Sequence, residues 1–129
     1  MLKTGILNPQ INSLLSRVRH TNLLVIADRG FPFWPMIETV DVSLVDGVPT
    51  VLQVLAAIRQ NFQIGHAWMA REFLAHNDRK AAAAFAAALG GVTLTHERHV
   101  LFKKRVPGAI GLIRTGDTTP YANVIVESA

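Results

Sequence analysis

Apolar residues recur along the chain at two alternating spacings, one typical of helices and the other of strands. Helical spacing predicts a first helix over Pro9–His20 with Asn8 as its N-cap, and a second over Pro49–Phe62. A third helix is predicted over Asn77–Leu89, because Asn77 suits an N-cap and Gly90 suits a helix stop. The apolar positions of the first two helices are Ile11, Leu14, Leu15, Val18, Val51, Val54, Leu55, Ile58 and Phe62.

Stretches of strand length lie between these helices. Leu23–Ala27 is apolar throughout, as expected of a strand buried on both faces, and Glu38–Leu44 alternates like a half-buried strand. The pattern does not decide the secondary structure of Arg71–His76, and it predicts one or two helical turns in Glu97–Arg105. Further strands are predicted at Gln63–Met69, Val92–His96, Ala109–Ile113 and Tyr121–Val126, with a candidate edge strand at Met1–Leu7. Alternating strands and helices predict an α/β protein with a mixed, mainly parallel sheet.

Composition points to one compact domain over residues 1–129. Half of the residues are apolar, 17% are charged, and the mean hydropathy is +0.27. No apolar run reaches the roughly 20 residues that a membrane-spanning helix needs, and the N-terminus lacks the apolar core of a secretory signal. We therefore expect no membrane insertion, and we expect excess apolar surface to be buried between subunits. The absence of cysteine excludes disulfides and fits a cytoplasmic protein.

Several function classes find little support in the sequence. The net charge is +4, but the cations are spread along the chain and the densest cluster is Lys103-Lys104-Arg105, so a nucleic-acid module is not expected. The glycines lack the spacing of a phosphate-binding loop, and no nucleophile elbow is present. His96 and His99 are three residues apart, but they do not form a recognised zinc motif, so we expect no metal.

The remaining candidates for a functional site are polar residues at positions where a polar side chain is energetically unfavourable or needs a reason. Each of them, taken alone, also has a purely structural explanation. His20 would complement the dipole at the end of the first helix, and Asp28 would cap a turn next to glycine. His99 would be an ordinary surface histidine. Tyr121 would bury its ring and leave its hydroxyl in water.

Together these residues belong to an ordered set of motifs that resembles the D-ribose pyranase / L-fucose mutarotase family. The resemblance extends from Gly5 to Val126. The motifs are His20-Thr21-Asn22, Asp28-Arg29-Gly30-Phe31-Pro32, Asp41-Val42-Ser43-Leu44, Gly47-Val48-Pro49, Gln53-Val54-Leu55, His99-Val100-Leu101-Phe102-Lys103, Arg114-Thr115-Gly116-Asp117 and Thr119-Pro120-Tyr121-Ala122-Asn123-Val124-Ile125.

The resemblance implies a compact three-layer α/β domain, assembled into pentameric rings or decamers with sites at or near subunit contacts. It implies an isomerase that interconverts anomers or ring forms of a free monosaccharide similar to ribose or fucose, without a cofactor. The family's catalytic histidine matches His20, and its sugar-binding residues match Asp28, His99, Tyr121 and Asn123. A histidine suits this chemistry because its ordinary pKa, about 6.5, lies near working pH.

Two alternatives stay open at this point. One is a monosaccharide-binding or transport-accessory protein that has the same pocket but no turnover, and the other is a basic oligomer that binds nucleic acid. The loop after Asp28 is bulkier and more aromatic than the family's ribose enzymes show, so the identity of the sugar also stays open. Phe31, Phe33 and Trp34 of that loop are candidates to stack on a sugar ring.

Overall fold

The computed structural model describes residues 1–3 and 5–129. In these residues the helices are α1 (Pro9–Ser16), α2 (Val51–Arg59), α3 (Arg71–His76), α4 (Arg79–Leu89) and α5 (His99–Arg105), and α5 continues into a 3-10 turn at Val106–Gly108. The strands are β1 (Leu23–Ala27), β2 (Glu38–Asp41), β3 (Ile64–Ala70), β4 (Thr93–Glu97), β5 (Ala109–Arg114) and β6 (Val124–Ser128).

One mixed sheet, in the order β2-β5-β1-β6-β3-β4, forms the centre of the molecule. Strand β6 pairs antiparallel with both β1 and β3, whereas the other pairings are parallel. Five strands therefore point in one direction and β6 points in the other. The predicted α/β class with a mixed, mainly parallel sheet is confirmed.

The sheet separates two apolar cores, so the domain has three layers. Side chains alternate along β1, with Leu24 and Ile26 on one face and Val25 and Ala27 on the other. The first face packs against the helices α1, α2, α3 and α4. The second face packs against α5 and the aromatic loop that follows β1. Strand β1 has its predicted bounds because an apolar run can be buried on both sides at this central position.

The first helix is shorter than predicted and does not reach His20. It ends at Ser16, and the Arg19 side chain donates a hydrogen bond to the Ser16 carbonyl oxygen at 2.7 Å. The Asn22 side chain accepts the Arg19 backbone N–H at 2.9 Å, which offers that group a partner outside the helix. His20 consequently lies in the turn between α1 and β1.

Other boundaries shift for local reasons. Strand β2 stops at Asp41, whose carboxylate accepts the Ser43 backbone N–H in a turn. Helix α4 takes Asp78 as its N-cap, so the predicted Asn77 cap is wrong, while Gly90 is left-handed and ends the helix as predicted. The undecided segment 71–76 is the helix α3. Residues 1–3 and 5–7 form no strand, and Thr4 of the candidate edge strand lies outside the described residues.

Candidate functional site

Four of the five predicted site residues converge at one edge of the sheet. The carboxyl ends of β1, β5, β3 and β4 lie there with the amino end of β6, because β6 alone runs in the opposite direction. Asp28 directly follows β1, His99 comes two residues after β4, and Asn123 directly precedes β6. A cavity of about 250 Å³ opens at this edge, and its lining residues are Asp28, Gly30, Phe31, Pro32, His99, Pro120, Tyr121 and Asn123. Pockets for drug-sized ligands span roughly 300–1,000 Å³, so this cavity suits a ligand of monosaccharide size.

Asp28 lines the cavity and is half-buried. Its backbone N–H donates to the Asn123 side-chain oxygen at 2.7 Å, and its carboxylate accepts the Gly30 N–H at 2.9 Å. Burial raises the pKa of the Asp28 carboxyl, hydrogen bonds from Gly30, Asn123 and Phe31 oppose that shift, and the nearby Asp117 adds to it. The carboxylate keeps accepting capacity for a sugar hydroxyl.

His99 lines the cavity, and one nitrogen of its imidazole is unpaired. Among the residues that the structure describes, its Nε2 atom is buried and has no hydrogen-bond partner. Phe31 and Tyr121 meet the ring edge-on, with centroids 6.2 and 5.1 Å away. Burial and the Lys103 ammonium lower the pKa of His99, while the Glu72 and Asp28 carboxylates oppose them. The neutral imidazole can give or take a proton in a hydrogen bond with a ligand.

Tyr121 and Asn123 enter from the loop before β6. Tyr121 has a φ of 57°, in the left-handed region that bulky side chains rarely adopt, and such outliers cluster at ligand sites. The amide of Asn123 is only 3% exposed, because it is bonded to the Asp28 backbone. The predicted strand start at Tyr121 is wrong, since the left-handed turn delays β6 until Val124.

Two motif residues from β5 and the loop after it support this edge. The Arg114 guanidinium donates to the carbonyl oxygens of Arg29, Phe31 and Pro32, which lie in the loop after Asp28. Asp117 is 5% exposed; its carboxylate accepts the Val51 N–H at the start of α2, and its backbone carbonyl accepts the Arg29 N–H. The loop that carries Asp28 is therefore held from both sides.

His20 lies at the opposite edge of the sheet from this cavity. It precedes β1, and the next residue, Thr21, donates its N–H to the carbonyl oxygen of Ser128 at the far end of β6. Strand β1 has five residues, which at about 3.3 Å per residue separates His20 from Asp28 by roughly 16 Å or more. Within one chain, His20 does not reach the cavity.

The aromatic loop after β1 contributes only one ring to the cavity. Phe31 lines it, whereas Phe33 is 70% exposed and Trp34 packs into the core beneath α5. The centroids of Phe31 and Trp34 are 6.2 Å apart, so the two rings pack against each other.

Helix α3 supplies supporting residues that the sequence analysis missed. The Glu72 carboxylate accepts the His99 backbone N–H at 2.9 Å, and the His76 ring centroid is 5.0 Å from that of Tyr121. Asn77 donates to the Pro120 carbonyl oxygen at 2.9 Å. Their position in the sequence could have indicated this role. Helix α3 directly follows β3, and α/β proteins bind ligands at the carboxyl ends of their strands.

Among residues 1–3 and 5–129, no group of three or more histidine, aspartate or glutamate side chains is arranged to hold a metal ion. No helix in these same ranges has both the length and the apolar character to cross a membrane.

Comparison with known proteins shows what the chain is similar to. It is 38% identical over 128 residues to a D-ribose pyranase of Laribacter hongkongensis, covering 99% of this chain and 97% of that protein. Identity to a D-ribose pyranase of Chromobacterium violaceum is 42%, with the same coverage. The structure of Bacillus subtilis RbsD complexed with D-ribose matches with a TM-score of 0.93 at 31% identity, covering 100% of this chain and 98% of that chain.

More distant structures share the fold. The fucose mutarotase of Streptococcus pneumoniae, solved in complex with L-fucose, matches with a TM-score of 0.79 at 21% identity, covering 98% of this chain and 94% of that one. The family model described as the RbsD / FucU transport protein family matches residues 1–129. With relatives of this identity and coverage over its whole length, the chain belongs to the RbsD / FucU transport protein family.

Proposed function

We propose that this chain is an isomerase that interconverts the ring forms or anomers of a free monosaccharide by acid–base catalysis. The observation that carries the proposal is the cavity in which Asp28, His99, Tyr121 and Asn123 converge. D-ribose is the first candidate substrate, because the curated relatives are named D-ribose pyranase and the RbsD of Bacillus subtilis was solved with D-ribose.

The reaction requires two proton transfers and no net change in composition. When a sugar ring opens, the ring oxygen gains a proton and the anomeric hydroxyl loses one, giving the open-chain aldehyde; closure reverses both transfers. In the proposal His20 exchanges protons with the sugar, since an imidazole can do so in both directions near neutral pH. Asp28, His99, Tyr121 and Asn123 bind the hydroxyls and fix the ring, and Tyr121 or a water completes the second proton path. Positioned acid–base groups contribute about 10²–10⁴-fold, and the chemistry needs no metal or organic cofactor.

The distance between His20 and the cavity makes assembly part of the proposal. His20 and Asp28 lie at opposite edges of the sheet, so a neighbouring chain has to supply the histidine. Large apolar side chains are also exposed, among them Phe33 (70%), Leu44 (76%) and Val45 (61%), which favours burial between subunits. We infer a closed pentameric ring or a decamer with sites at subunit contacts, and a cytoplasmic location in keeping with a chain that has no cysteine.

A sugar-binding protein without turnover is the second candidate function. The observation that favours it is the same separation: the cavity of a single chain contains binding groups but not His20. A chain that stays monomeric would therefore bind a sugar without catalysing exchange.

Exchange NMR on free sugars distinguishes the two candidates. Wild-type protein should accelerate exchange between the ring forms of ribose. His20→Ala should abolish the acceleration and leave the fold intact, because the His20 side chain is exposed on the single chain. Sugar binding without acceleration would establish the binding function instead. Full exchange activity in the His20→Ala protein would remove His20 from the mechanism.

A further inference from the structure

The hydrogen bond between Glu72 and His99 links two helices that meet beside the cavity. Glu72 lies in the first turn of α3, and its Oε2 atom accepts the backbone N–H of His99 at 2.9 Å. His99 is the first residue of α5, and Arg98, the residue before it, makes no side-chain capping bond to the described residues. Glu72 thus fills the capping position that the α5 sequence leaves open.

This cap acts on His99, a residue that lines the cavity. The first N–H groups of a helix have no partner within it, so a bond to one of them fixes where the helix begins. His99 begins α5, and its imidazole Nε2 is buried without a partner among the described residues. A shift of the α5 start would move this nitrogen relative to Asp28 and Tyr121, which approach from other elements.

The charge of Glu72 is a second influence on the same imidazole. Burial raises the pKa of Glu72, but hydrogen bonds from its own backbone N–H and from that of His99, together with the His99 and Arg71 charges, lower it overall. Glu72 is therefore an anion at neutral pH. The titratable and charged groups around the His99 ring are Asp28 from the loop after β1, Glu72 from α3, Lys103 from α5 and Tyr121 from the loop before β6.

We propose that Glu72 is a positioning residue for the sugar site: its carboxylate holds the backbone of His99 and thereby sets the imidazole against the substrate. The inference rests on the proposed function, because it assigns His99 to sugar binding. Glu72 itself is not among the residues that line the cavity. Its side chain acts on catalysis only through His99.

Two variants separate the bond from the charge. Glu72→Asp keeps the charge, but its carboxylate is one methylene too short for the 2.9 Å bond, so kcat/KM for ribose should fall roughly tenfold or more. Glu72→Gln keeps an accepting oxygen and loses the charge. Its kcat/KM at pH 8 should stay near wild type, while the His99 pKa measured by imidazole NMR should fall, because the carboxylate no longer stabilises the protonated ring.

Asn8→Ala provides the matched control. Asn8 caps α1 by accepting the Ile11 N–H at 2.9 Å and lies outside the cavity, so its loss should lower stability without changing kcat/KM or the His99 resonances. Wild-type kcat/KM in Glu72→Asp would overturn the positioning role. An equal loss in Glu72→Asp, Glu72→Gln and Asn8→Ala would overturn it as well, since general destabilisation would then explain the effect. A wild-type protein without exchange activity would instead refute the proposed function; the Glu72 role would then be tested by ribose affinity and the His99 resonances.

Discussion

Replacing Arg114 by methionine should destabilise the protein and weaken sugar binding, because Arg114 holds the loop that carries Asp28. Its side chain is 13% exposed. The Nη1 atom donates to the carbonyl oxygens of Phe31 at 2.5 Å and Arg29 at 3.2 Å, and Nη2 donates to that of Pro32 at 3.2 Å. Methionine keeps much of the apolar stem and removes every one of these donors.

The size of the effect follows from which carbonyl can find another partner. A hydrogen bond from a charged donor contributes about 1.5–3 kcal/mol. Arg29 and Pro32 are exposed, so water can replace the guanidinium at their carbonyls, whereas Phe31 is only 5% exposed. One bond is then lost without compensation, and we expect the free energy of unfolding to fall by about 1.5–3 kcal/mol.

Urea unfolding at pH 7 measures the stability, and an NMR titration with ribose measures the affinity. The control is Arg17→Met, whose ion pair with Glu38 at 2.7 Å joins side chains that are 49% and 39% exposed. Exposed pairs of this kind contribute about 0–1 kcal/mol, and Arg17 is remote from the cavity. The ribose Kd should rise in Arg114→Met and stay unchanged in Arg17→Met.

Equal stability losses in the two variants would refute the reasoning about the Phe31 carbonyl. A large loss of stability with an unchanged ribose Kd would separate the two effects, and Arg114 would then support the fold without positioning Asp28.

Three further predictions concern the site residues. Asp28→Asn should raise stability at pH 7 in urea unfolding, because burial raises the pKa of Asp28 and the ionised carboxylate therefore lowers stability as pH rises. The same variant should lower sugar affinity or turnover more than about tenfold in exchange NMR. Burial lowers the pKa of His99, so folding favours its neutral form, and stability should fall as pH drops below the unfolded-state pKa of about 6.5. When unfolding is measured from pH 8 to 5, His99→Gln should lack the loss of stability that comes from protonation of His99. Mixed assemblies of inactive His20→Ala and inactive Tyr121→Phe chains should regain partial exchange activity, whereas no recovery would mean that both residues act from one chain.

The sequence by itself determined the elements whose signals are local. Leu23–Ala27 has its predicted bounds because an unbroken apolar run is stable only between two packed faces. Helix α4 ends where Gly90 can turn left-handed at no steric cost. The family motifs contain Asp28, His99, Tyr121 and Asn123, and the structure brings these four residues to one cavity.

Local signals failed where side chains from elsewhere hold the backbone. Asn22 and Arg19 end α1 before His20, and the left-handed Tyr121 delays the last strand until Val124. The sequence did not predict helix α3, because a segment of six residues is too short to show a helical periodicity.

Only the tertiary structure decided which candidate residues lie together at one end of the sheet and which lie at the other. Strand β6 inserts antiparallel between β1 and β3, which brings Asn123 to Asp28 across 95 positions of sequence and leaves His20 at the opposite edge. No local pattern encodes this insertion, because strand order depends on the burial and pairing of distant segments taken together. The separation of His20 from the cavity, and with it the need for a second chain in the proposed mechanism, follows from that strand order.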